Sequence, residues 1–503
     1  MSIENDLTLL PRMKSSMLSG EKQPNVESFY HLKEDAVEDK SCCGTACFVA
    51  RYRDCQKWNR ACANDSRVYC LGKCYVAPAS GADQARPTIK ALCVTPVLLD
   101  RMLEGDSRRI GRYVELGGYR ALERIVRNSP DVLLREVEVS QLRGRGGAGF
   151  PTGKKWRMAA QQSSPQKFVV ANADEGDPGA YIDRFIMEND PHRLIEGMAL
   201  AGYAVGASKG YVYIRNEYPE AQKIFQQAIE DARQSGFLSE GNGKVAFNIE
   251  IISGLGSYIC GEETALLNSI EGKRPVAMAR PPYATEHGLF GKPTVIDNVE
   301  TLAAIPWIAR NGGQAYRAMG FSTSRGTKVI SLNSLFNRPG LYEVEFGISI
   351  RDIVYQAGGG LREGALQGVM IGGPLTGIIP PSLLDTRFGF EELQSIGAGV
   401  GHGGVIAFND RTTIAELIQY VFSFAAFESC GKCTPCRLGT RRMQRLFEQV
   451  ISSRQPLNGG RSEWDELVAA LKLTSLCGLG IGVGDFAASI SRHYEKELNE
   501  WLG

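Results

Sequence analysis

The sequence predicts a multi-domain α/β protein, on three observations. Its 503 residues exceed one ordinary domain, so three or four units are expected. Between Val139 and Leu302, apolar runs of strand length alternate with helical patterns and with glycine-rich or acidic loops, the layout of an open α/β sheet. The 13 cysteines are unevenly placed: eight fall between Cys42 and Cys93, four between Cys430 and Cys477, and Cys260 stands apart.

An apolar fraction of 43% and a charged fraction of 22% are those of an ordinary globular protein. The formal net charge of +1, without a sustained basic run, speaks against nucleic acid as a partner. The most apolar stretch, Leu194 to Ala207, is too short to span a membrane and holds Glu196. The opening M-S-I-E-N-D lacks the layout of a signal peptide, so a cytoplasmic protein is expected. Disulfides are rare in that compartment, which turns the cysteine clusters toward metal or iron–sulfur ligation.

Residues 1 to 27 are polar and aperiodic, and read as a mobile tail or an arm on a partner. Cys42 and Cys47 then form a C-x4-C pair, and Cys70 and Cys74 a C-x3-C pair. Two close pairs can hold the two irons of a [2Fe–2S] cluster; a zinc site is the competing reading. Arg51 to Ala61 reads as a short helix and Arg67 to Tyr69 as a strand, while Cys43, Cys55, Cys62 and Cys93 read as buried spare thiols. Gly105 to Glu138 reads as linker helices, with Leu116, Tyr119, Leu122, Ile125 and Val126 turned inward.

The glycine-rich run Gln141 to Trp156 follows, Q-L-R-G-R-G-G-A-G-F-P-T-G-K-K-W. Glycine buries no side chain, so such a run suits backbone that closely approaches something else. Gly144, Gly146 and Gly149 match G-x-G-x-x-G, a seat for phosphate on backbone N–H groups, although a flexible surface loop fits that weak pattern too. Arg143, Arg145, Lys154 and Lys155 add positive charge, and Phe150 offers a flat face. A strand over Lys167 to Ala171 leads into N-A-D-E-G-D-P-G, which places Asn172, Asp174, Glu175 and Asp177 where ligands bind in open α/β sheets. Leu194 to Gly206 and Pro219 to Gln234 read as helices around a strand at Gly210 to Ile214. Gly254, Gly256 and Gly261 precede Glu262 and Glu263, which either cap the helix beginning near Thr264 or accept from ribose hydroxyls. Arg274 to Ala284 is proline-rich and extended, and Gly291 to Leu302 carries Asp297 and Asn298 into a further helix start.

From Lys328 to Gly377 the pattern is strand, loop, strand, helix, then G-G-P-L-T-G. A helical region follows from Thr412. Cys430, Cys433 and Cys436, spaced C-x2-C-x2-C, together with the remote Cys477, supply four thiolates in the arrangement of a [4Fe–4S] cluster, with zinc again the competing reading. Leu467, Leu471 and Leu476 suggest that a helix presents Cys477.

C-x4-C followed by C-L-G-x-C-x-x-x-P resembles the thioredoxin-like [2Fe–2S] module of respiratory complex I and of NAD-linked hydrogenases and formate dehydrogenases, in a trimmed form. G-R-G-G-A-G-F-P-T-G, N-A-D-E, Y-I-C-G-E-E-T-A-L and I-D-N-V-E-T-L, in that order, resemble the NADH-binding flavoprotein subunit of complex I and its soluble relatives, from about Val139 to the C-terminus. The resemblance implies a tail over 1–27, a thioredoxin-like [2Fe–2S] module over 28–104 and an α/β FMN/NAD(H)-binding domain over 105–326. It further implies a β-grasp, ubiquitin-like insertion over 327–400 and a C-terminal helical bundle with [4Fe–4S] over 401–503.

Carried over, the resemblance places Gly144, Arg145, Gly146, Lys155, Asn172, Asp174, Tyr258, Gly261, Glu262, Asn298 and Thr301 around FMN. Phe150, Glu175, Glu263 and Tyr283 would line the nicotinamide nucleotide, with Glu175 orienting the nicotinamide amide. Asp177, Arg280, Tyr283 and Asp297 depart from the family pattern, and a carboxylate at Asp177 would favour NAD over NADP. A Cβ at Gly146 is expected to intrude on the flavin.

NAD(H) moves electrons as a hydride pair while an iron–sulfur cluster takes one, so a flavin between them is the chemistry such a chain needs. The expected function is that of an NAD(H)–FMN diaphorase subunit. Its partners would be an iron–sulfur electron-transfer subunit and a formate-oxidising or hydrogen-oxidising catalytic subunit, with formate preferred. A bifurcating complex, complex I itself and a non-catalytic iron–sulfur or zinc scaffold are the alternatives.

Overall fold

The computed structural model describes residues 37, 40–63, 68–239 and 246–503; the expected tail over 1–27 lies outside them. Two sheets and a helical C-terminal region share one continuous core, with further cores inside the second sheet's unit and on one face of the first sheet.

The N-terminal segment, expected to be a thioredoxin-like module over 28–104, is described at residues 37, 40–63 and 68–104. Among the described residues it holds two short helices, Thr45–Val49 and Cys55–Ala63, and isolated bridges pairing Ser41 with Ser80 and Cys42 with Val68, but no sheet of its own. Val68 makes only that bridge, so the strand expected at Arg67 to Tyr69 is absent among the described residues. Its one strand, β1 (Thr88–Ala91), pairs in parallel with a strand of the second sheet. With cysteines and glycines in place of alternating apolar residues, this segment has too little strand-forming sequence to close a sheet alone. It packs on neighbours instead: Phe48 stacks on Tyr420 with centroids 4.0 Å apart.

Four linker helices follow, Asp100–Glu104, Ile110–Glu115, Arg120–Ile125 and Pro130–Ser140. Tyr119, Leu122 and Ile125 are buried as expected, while Leu116 and Val126 are half-buried.

The first sheet is fully parallel. It contains β2 (Phe168–Ala173), β3 (Lys209–Ile214), β4 (Asn248–Ser253) and β5 (Thr294–Asn298) in the order β4-β3-β2-β5. Both faces of β2 are buried, with Val169 and Ala171 in the main core and Phe168 and Val170 in the smaller one, as a strand covered by helices on both sides requires. The helices Pro191–Val205 and Pro219–Gln234 each carry proline in the first turn, where its missing N–H costs nothing. Because every strand runs the same way, the segments after β2, β3, β4 and β5 emerge at one edge.

A small hairpin of β6 (Gly320–Phe321) and β7 (Ser324–Arg325) precedes the second sheet. That sheet has the order β1-β9-β8-β11-β10, with β8 at Thr327–Leu332, β9 at Gly340–Glu345, β10 at Leu366–Ile371 and β11 at Gly404–Asn409. Its first contiguous strand, β8, begins at Thr327, while β11 comes from beyond residue 400 and β1 from the N-terminal segment. Buried Glu343 on β9 accepts from the N–H groups of Val97, Leu98 and Leu99, which fastens the N-terminal segment to the sheet. The C-terminal region packs the helices Ile414–Glu428, Thr434–Ser453, Gly460–Thr474, Gly478–His493 and Glu495–Leu502. No helix among the described residues is long and apolar enough to cross a membrane.

Candidate functional site

The glycine loop, the acidic loop after β2, the turn after β4 and the helix start after β5 meet at the carboxyl edge of the parallel sheet. The glycine loop is closed by the Gly144 N–H donating to the Phe150 carbonyl at 2.9 Å, and an isolated bridge ties Gly147 to Gly401. The Arg145 N–H donates to Thr301 Oγ1 at 2.8 Å, which seats the loop on the first turn of the helix Val299–Asn311. Asn298 caps that helix, its Oδ1 accepting from the Glu300 N–H at 2.9 Å. A Cβ on Gly146 would come within 2.9 Å of the Asn298 Cβ, so this packing needs glycine there. Gly147, at φ +132°, is the loop glycine whose Cβ would meet nothing within 4 Å.

Several expected contacts are spent inside the protein. The Arg145 side chain is buried, donating to Tyr316 Oη at 2.8 Å and to the Arg325 carbonyl at 2.7 Å, so its charge does not face the loop's open side. Arg143 lies over the Phe390 ring and pairs with Glu391. Lys155 donates to the Ile296 carbonyl at 2.7 Å, Asp297 at 3.1 Å and Glu263 at 3.4 Å; burial opposes its charge, but the two carboxylates hold it above its usual value. Glu262 caps the helix Glu263–Ile270, accepting from Thr264 and Ala265 N–H, and pairs with Arg280 at 2.9 Å, so the capping reading holds for it. Asn172 Nδ2 donates to the Gly261 carbonyl at 2.8 Å.

Glu175 is placed differently from its expected role at the nicotinamide. It is buried, with Oε1 accepting from the N–H groups of Ile182 at 2.6 Å and Asp183 at 3.0 Å and Oε2 from that of Arg184 at 3.1 Å, which caps the helix Ile182–Asn189. His402 Nε2 lies 3.3 Å from Glu175 and 3.1 Å from Asp183. Burial opposes a charge on His402, but the two acids outweigh it and hold the imidazolium well above its usual range. With three backbone N–H donors and His402 around it, Glu175 ties the acidic loop to the start of that helix. Sequence reasoning passed over His402 and Asp183; the visible signal was a lone histidine inside G-V-G-H-G-G.

Other groups remain available. Asp174 Oδ2 is buried without a hydrogen-bond partner, and burial drives that carboxyl well above its usual range. Gly261 faces it, at a spacing where an added Cβ would sit 3.6 Å from that oxygen. Asp177 accepts from Tyr258 Oη at 2.6 Å, and Phe150 and Tyr283 present exposed rings. The buried orphan oxygen of Asp174 beside Gly261, with Gly147 open to space in the glycine loop, fits a polar, planar ligand whose polar groups complete the site.

Tyr258 connects this edge to the late cysteines. Its N–H donates to Glu428 at 3.0 Å and its ring meets Phe424 edge-on at 5.3 Å. Cys433 and Cys477 occupy the N-cap positions of the helices Thr434–Ser453 and Gly478–His493, Cys436 lies in the first turn of the former, and Cys430 follows the helix Ile414–Glu428. Cys477 therefore sits at the start of the helix after it, rather than at the end of the one carrying Leu467 and Leu471. Ser429 Oγ is 3.2 Å from Cys436 Sγ, and the backbone N–H groups of Leu479 and Gly480 point at Cys477. Helix N-termini and N–H donors favour anionic sulfur, yet burial, the largest cause, still pushes the Cys436 and Cys477 thiols up to about 12 and 11, so ligation is what would deprotonate them. Four such thiolates fit a [4Fe–4S] cluster.

The Nuo51 FMN-binding domain family matches residues 137–307, and the NADH-ubiquinone oxidoreductase-F iron-sulfur binding region matches 416–501. The F 2 subunit of NADH-quinone oxidoreductase from Rhizobium meliloti is 40% identical over 407 residues, covering 80% of this chain and 96% of that one. This chain belongs to the NADH-quinone oxidoreductase F-subunit family. The NADP-reducing hydrogenase subunit HndC of Solidesulfovibrio fructosivorans is 41% identical over 382 residues, or 75% of this chain and 77% of HndC. A crystal structure of NAD+-reducing [NiFe]-hydrogenase in the H2-reduced state aligns with a TM-score of 0.81 at 29% identity, covering 95% of this chain and 87% of that one. This F-subunit relative is thus an NAD(H) oxidoreductase subunit with an FMN-binding domain and a [4Fe–4S] region.

Proposed function

We propose that this chain is the NAD(H)–FMN diaphorase subunit of a soluble, cytoplasmic multi-subunit complex. The observation that carries the reading is the meeting, through Tyr258, of an unfinished polar site at the sheet edge with four thiols at helix starts. A bound flavin accepts a hydride from NADH, or returns one to NAD+, and trades electrons singly with iron. Asp174, Asn172, Gly147 and Gly261 hold the flavin, and Phe150 and Tyr283 flank the nucleotide. Asp177, fixed by Tyr258, borders the site and disfavours a 2′-phosphate.

Electrons leave by the late cysteines. Cys433 is the half-buried member of that set; Leu438 and Ile481 are exposed on the helices that Cys433 and Cys477 open, and exposed Leu476 directly precedes Cys477. That apolar surface receives an iron–sulfur electron-transfer subunit, which exchanges electrons with a catalytic subunit. The likeness to the NAD+-reducing hydrogenase over 95% of this chain supports hydrogen as that subunit's substrate. Formate is the second reading, and rests on the compact N-terminal segment. Subunit identification in the natively purified complex separates the two.

Asp174→Ala tests the flavin site itself. Removing a buried carboxyl with a partnerless oxygen should leave apo-protein stability unchanged or raised, while bound flavin falls at least about tenfold, a change of ~1.4 kcal/mol in affinity. Full flavin content in the variant, or a colourless zinc-bound wild-type protein, overturns the reading.

A further inference from the structure

We propose that Glu175, Asp183 and His402 form a buried site for one divalent cation, zinc by the nature of its ligands, which staples the acidic loop to the unit of the second sheet. The site does not rest on the diaphorase reading above.

Its three members come from separate parts of the chain. Glu175 lies in the loop after β2, Asp183 in the first turn of the helix Ile182–Asn189, and His402 two residues before β11. They are 1%, 0% and 5% exposed. A carboxylate oxygen from each acid and a ring nitrogen of His402 all lie within 4.8 Å of one another. His402 Nε2 is 3.3 Å from Glu175 Oε1 and 3.1 Å from Asp183 Oδ2. Two ligand atoms on a tetrahedral zinc, each bound at about 2.0–2.1 Å, stand about 3.3–3.4 Å apart. The spacing already present is therefore close to the one a cation needs.

Two atoms favour a cation over a proton alone. His402 Nε2 is buried and makes no hydrogen bond even at these distances, so its N–H is aimed at neither acid; Asp183 Oδ1 is buried and unpartnered as well. An imidazolium held by hydrogen bonds would direct Nε2–H at one oxygen. A cation shared by several ligands needs that nitrogen aimed at the space among them, and the free Oδ1 supplies a fourth ligand atom.

Charge balance argues the same way. Two ionised carboxylates and an imidazolium leave one negative charge in a dry place, whereas two carboxylates, a neutral imidazole and a divalent cation sum to zero. Lys328 does not supply the balance, because it pairs with Glu300 and both are fully buried; its Nζ also donates to the His402 carbonyl at 2.8 Å. On binding, the proton on Nε2 leaves for solvent and its electron pair goes to the cation, with no change of oxidation state.

The surrounding hydrogen bonds are of the kind that hold metal ligands still. Glu175 accepts from the N–H groups of Ile182, Asp183 and Arg184, and Asn298 Nδ2 donates to Asp183 Oδ2 at 2.6 Å. One imidazole and two carboxylates suit zinc, while magnesium favours an all-oxygen shell with several waters. Gly401, the neighbour of His402, bridges Gly147, so the staple also steadies the glycine loop.

The test uses the full chain produced in zinc-supplemented medium. Zinc, iron and acid-labile sulfide are measured per chain, and X-ray absorption at the zinc edge reads the ligands. The expected result is about one zinc per chain with nitrogen and oxygen neighbours at about 2.0–2.1 Å, imidazole among them, rather than sulfur at about 2.3 Å. His402→Gln and Asp183→Ala should each lose that zinc while iron and sulfide stay at the wild-type level. His493→Gln, whose ring meets the Ile396 carbonyl instead, should keep it. Wild-type protein without zinc, zinc bound through sulfur alone, or a His402→Gln protein that retains nitrogen- and oxygen-bound zinc overturns the site, and the wild-type spectrum decides even if the variants do not fold. Flavin content in the same sample bears on the diaphorase reading alone, so the two readings fail separately.

Discussion

Cys433 and Cys477 stand at the first residues of two helices near the surface, whereas Cys42 and Cys74 lie under a loop of another unit with almost no exposure. The late nest is made by its own region: helix starts supply its N–H groups, and apolar residues beside it remain open to a partner. The early nest has no scaffold of its own, since its segment contributes β1 to another sheet and borrows Gly179 and Arg215 from the nucleotide domain. A thiol set can therefore be placed for exchange with a separate protein or for exchange within the chain, and burial tells which. In the late set Cys433 is half-buried beside three buried thiols, whereas all four thiols of the early set are buried.

The largest expected effect comes from breaking the early nest's borrowed support. Arg215 pairs with Glu217 at 2.7 Å, both nearly fully buried, and serves three carbonyls. Arg215→Met should cost about 3–5 kcal/mol of stability, because Glu217 is left charged and buried. Denaturant unfolding measures the loss, and flavin should be lost along with it. A cost below about 1 kcal/mol, the range of an ordinary substitution, would mean that the two units are not clamped together.

The late nest should respond in the opposite manner. Cys436→Ser is expected to reduce electron flow from NADH to the partner subunit on the order of 100-fold, since serine is a poor ligand for iron at this site. Its effect on NADH:ferricyanide turnover should be at least about tenfold smaller, a separation of ~1.4 kcal/mol in activation terms. Equal losses in both assays would remove the outward role assigned to this nest.

A pH scan sharpens the comparison by separating the scaffold from the nests. His192 is buried on the helix Pro191–Val205, its Nδ1 3.0 Å from Tyr119 Oη, and burial lowers its pKa to about 4. Between that value and the unfolded value of about 6.5, the unfolded chain binds the extra proton, so stability rises with pH across this window and is lost as pH falls through it. His192→Gln, which cannot titrate, should flatten that acid limb by up to ~3 kcal/mol at pH 4, whatever the state of either nest. An unchanged limb would place the acid sensitivity elsewhere.

Much of this arrangement was legible because local signals agreed. Proline in the first turn and a two-faced pattern gave the helix Pro219–Gln234 its observed limits, and the C-x2-C-x2-C run with Cys477 marked the late nest. What was not legible required knowing which polar group a fold consumes. Glu175 and Asp177 are near neighbours in one acidic loop, yet only the chain's return at Ile182 turns Glu175 into a helix cap. Arg145 looked like a phosphate ligand, yet its Nη2 donates to Tyr316 and to the Arg325 carbonyl, far along the chain, while its Nη1 stays buried without a partner. The pairing of β1 with the second sheet was not legible either, because cysteine spacing reports the ligands and says nothing about which sheet a neighbouring strand joins. Cys55 and Cys62, expected to be buried spares, lie exposed on a short helix that packs little of its length.

The smallest expected effect on the isolated chain belongs to Leu473, which is 82% exposed on the helix that leads toward Cys477. An exposed helical leucine contributes little to folding, so Leu473→Asp should change stability by less than about 0.5 kcal/mol. In the proposed complex, a carboxylate at this exposed position would be desolvated if the electron-transfer subunit covers it. Affinity for that subunit should fall by about 1–2 kcal/mol, read as a five- to thirtyfold rise in the concentration needed for half-maximal coupled turnover, with flavin content unchanged. The matching change on the early side, Cys55→Asp on an exposed position of the N-terminal segment, should alter neither quantity. If both substitutions weaken the complex equally, the outward and inward roles of the two nests do not divide as burial indicates.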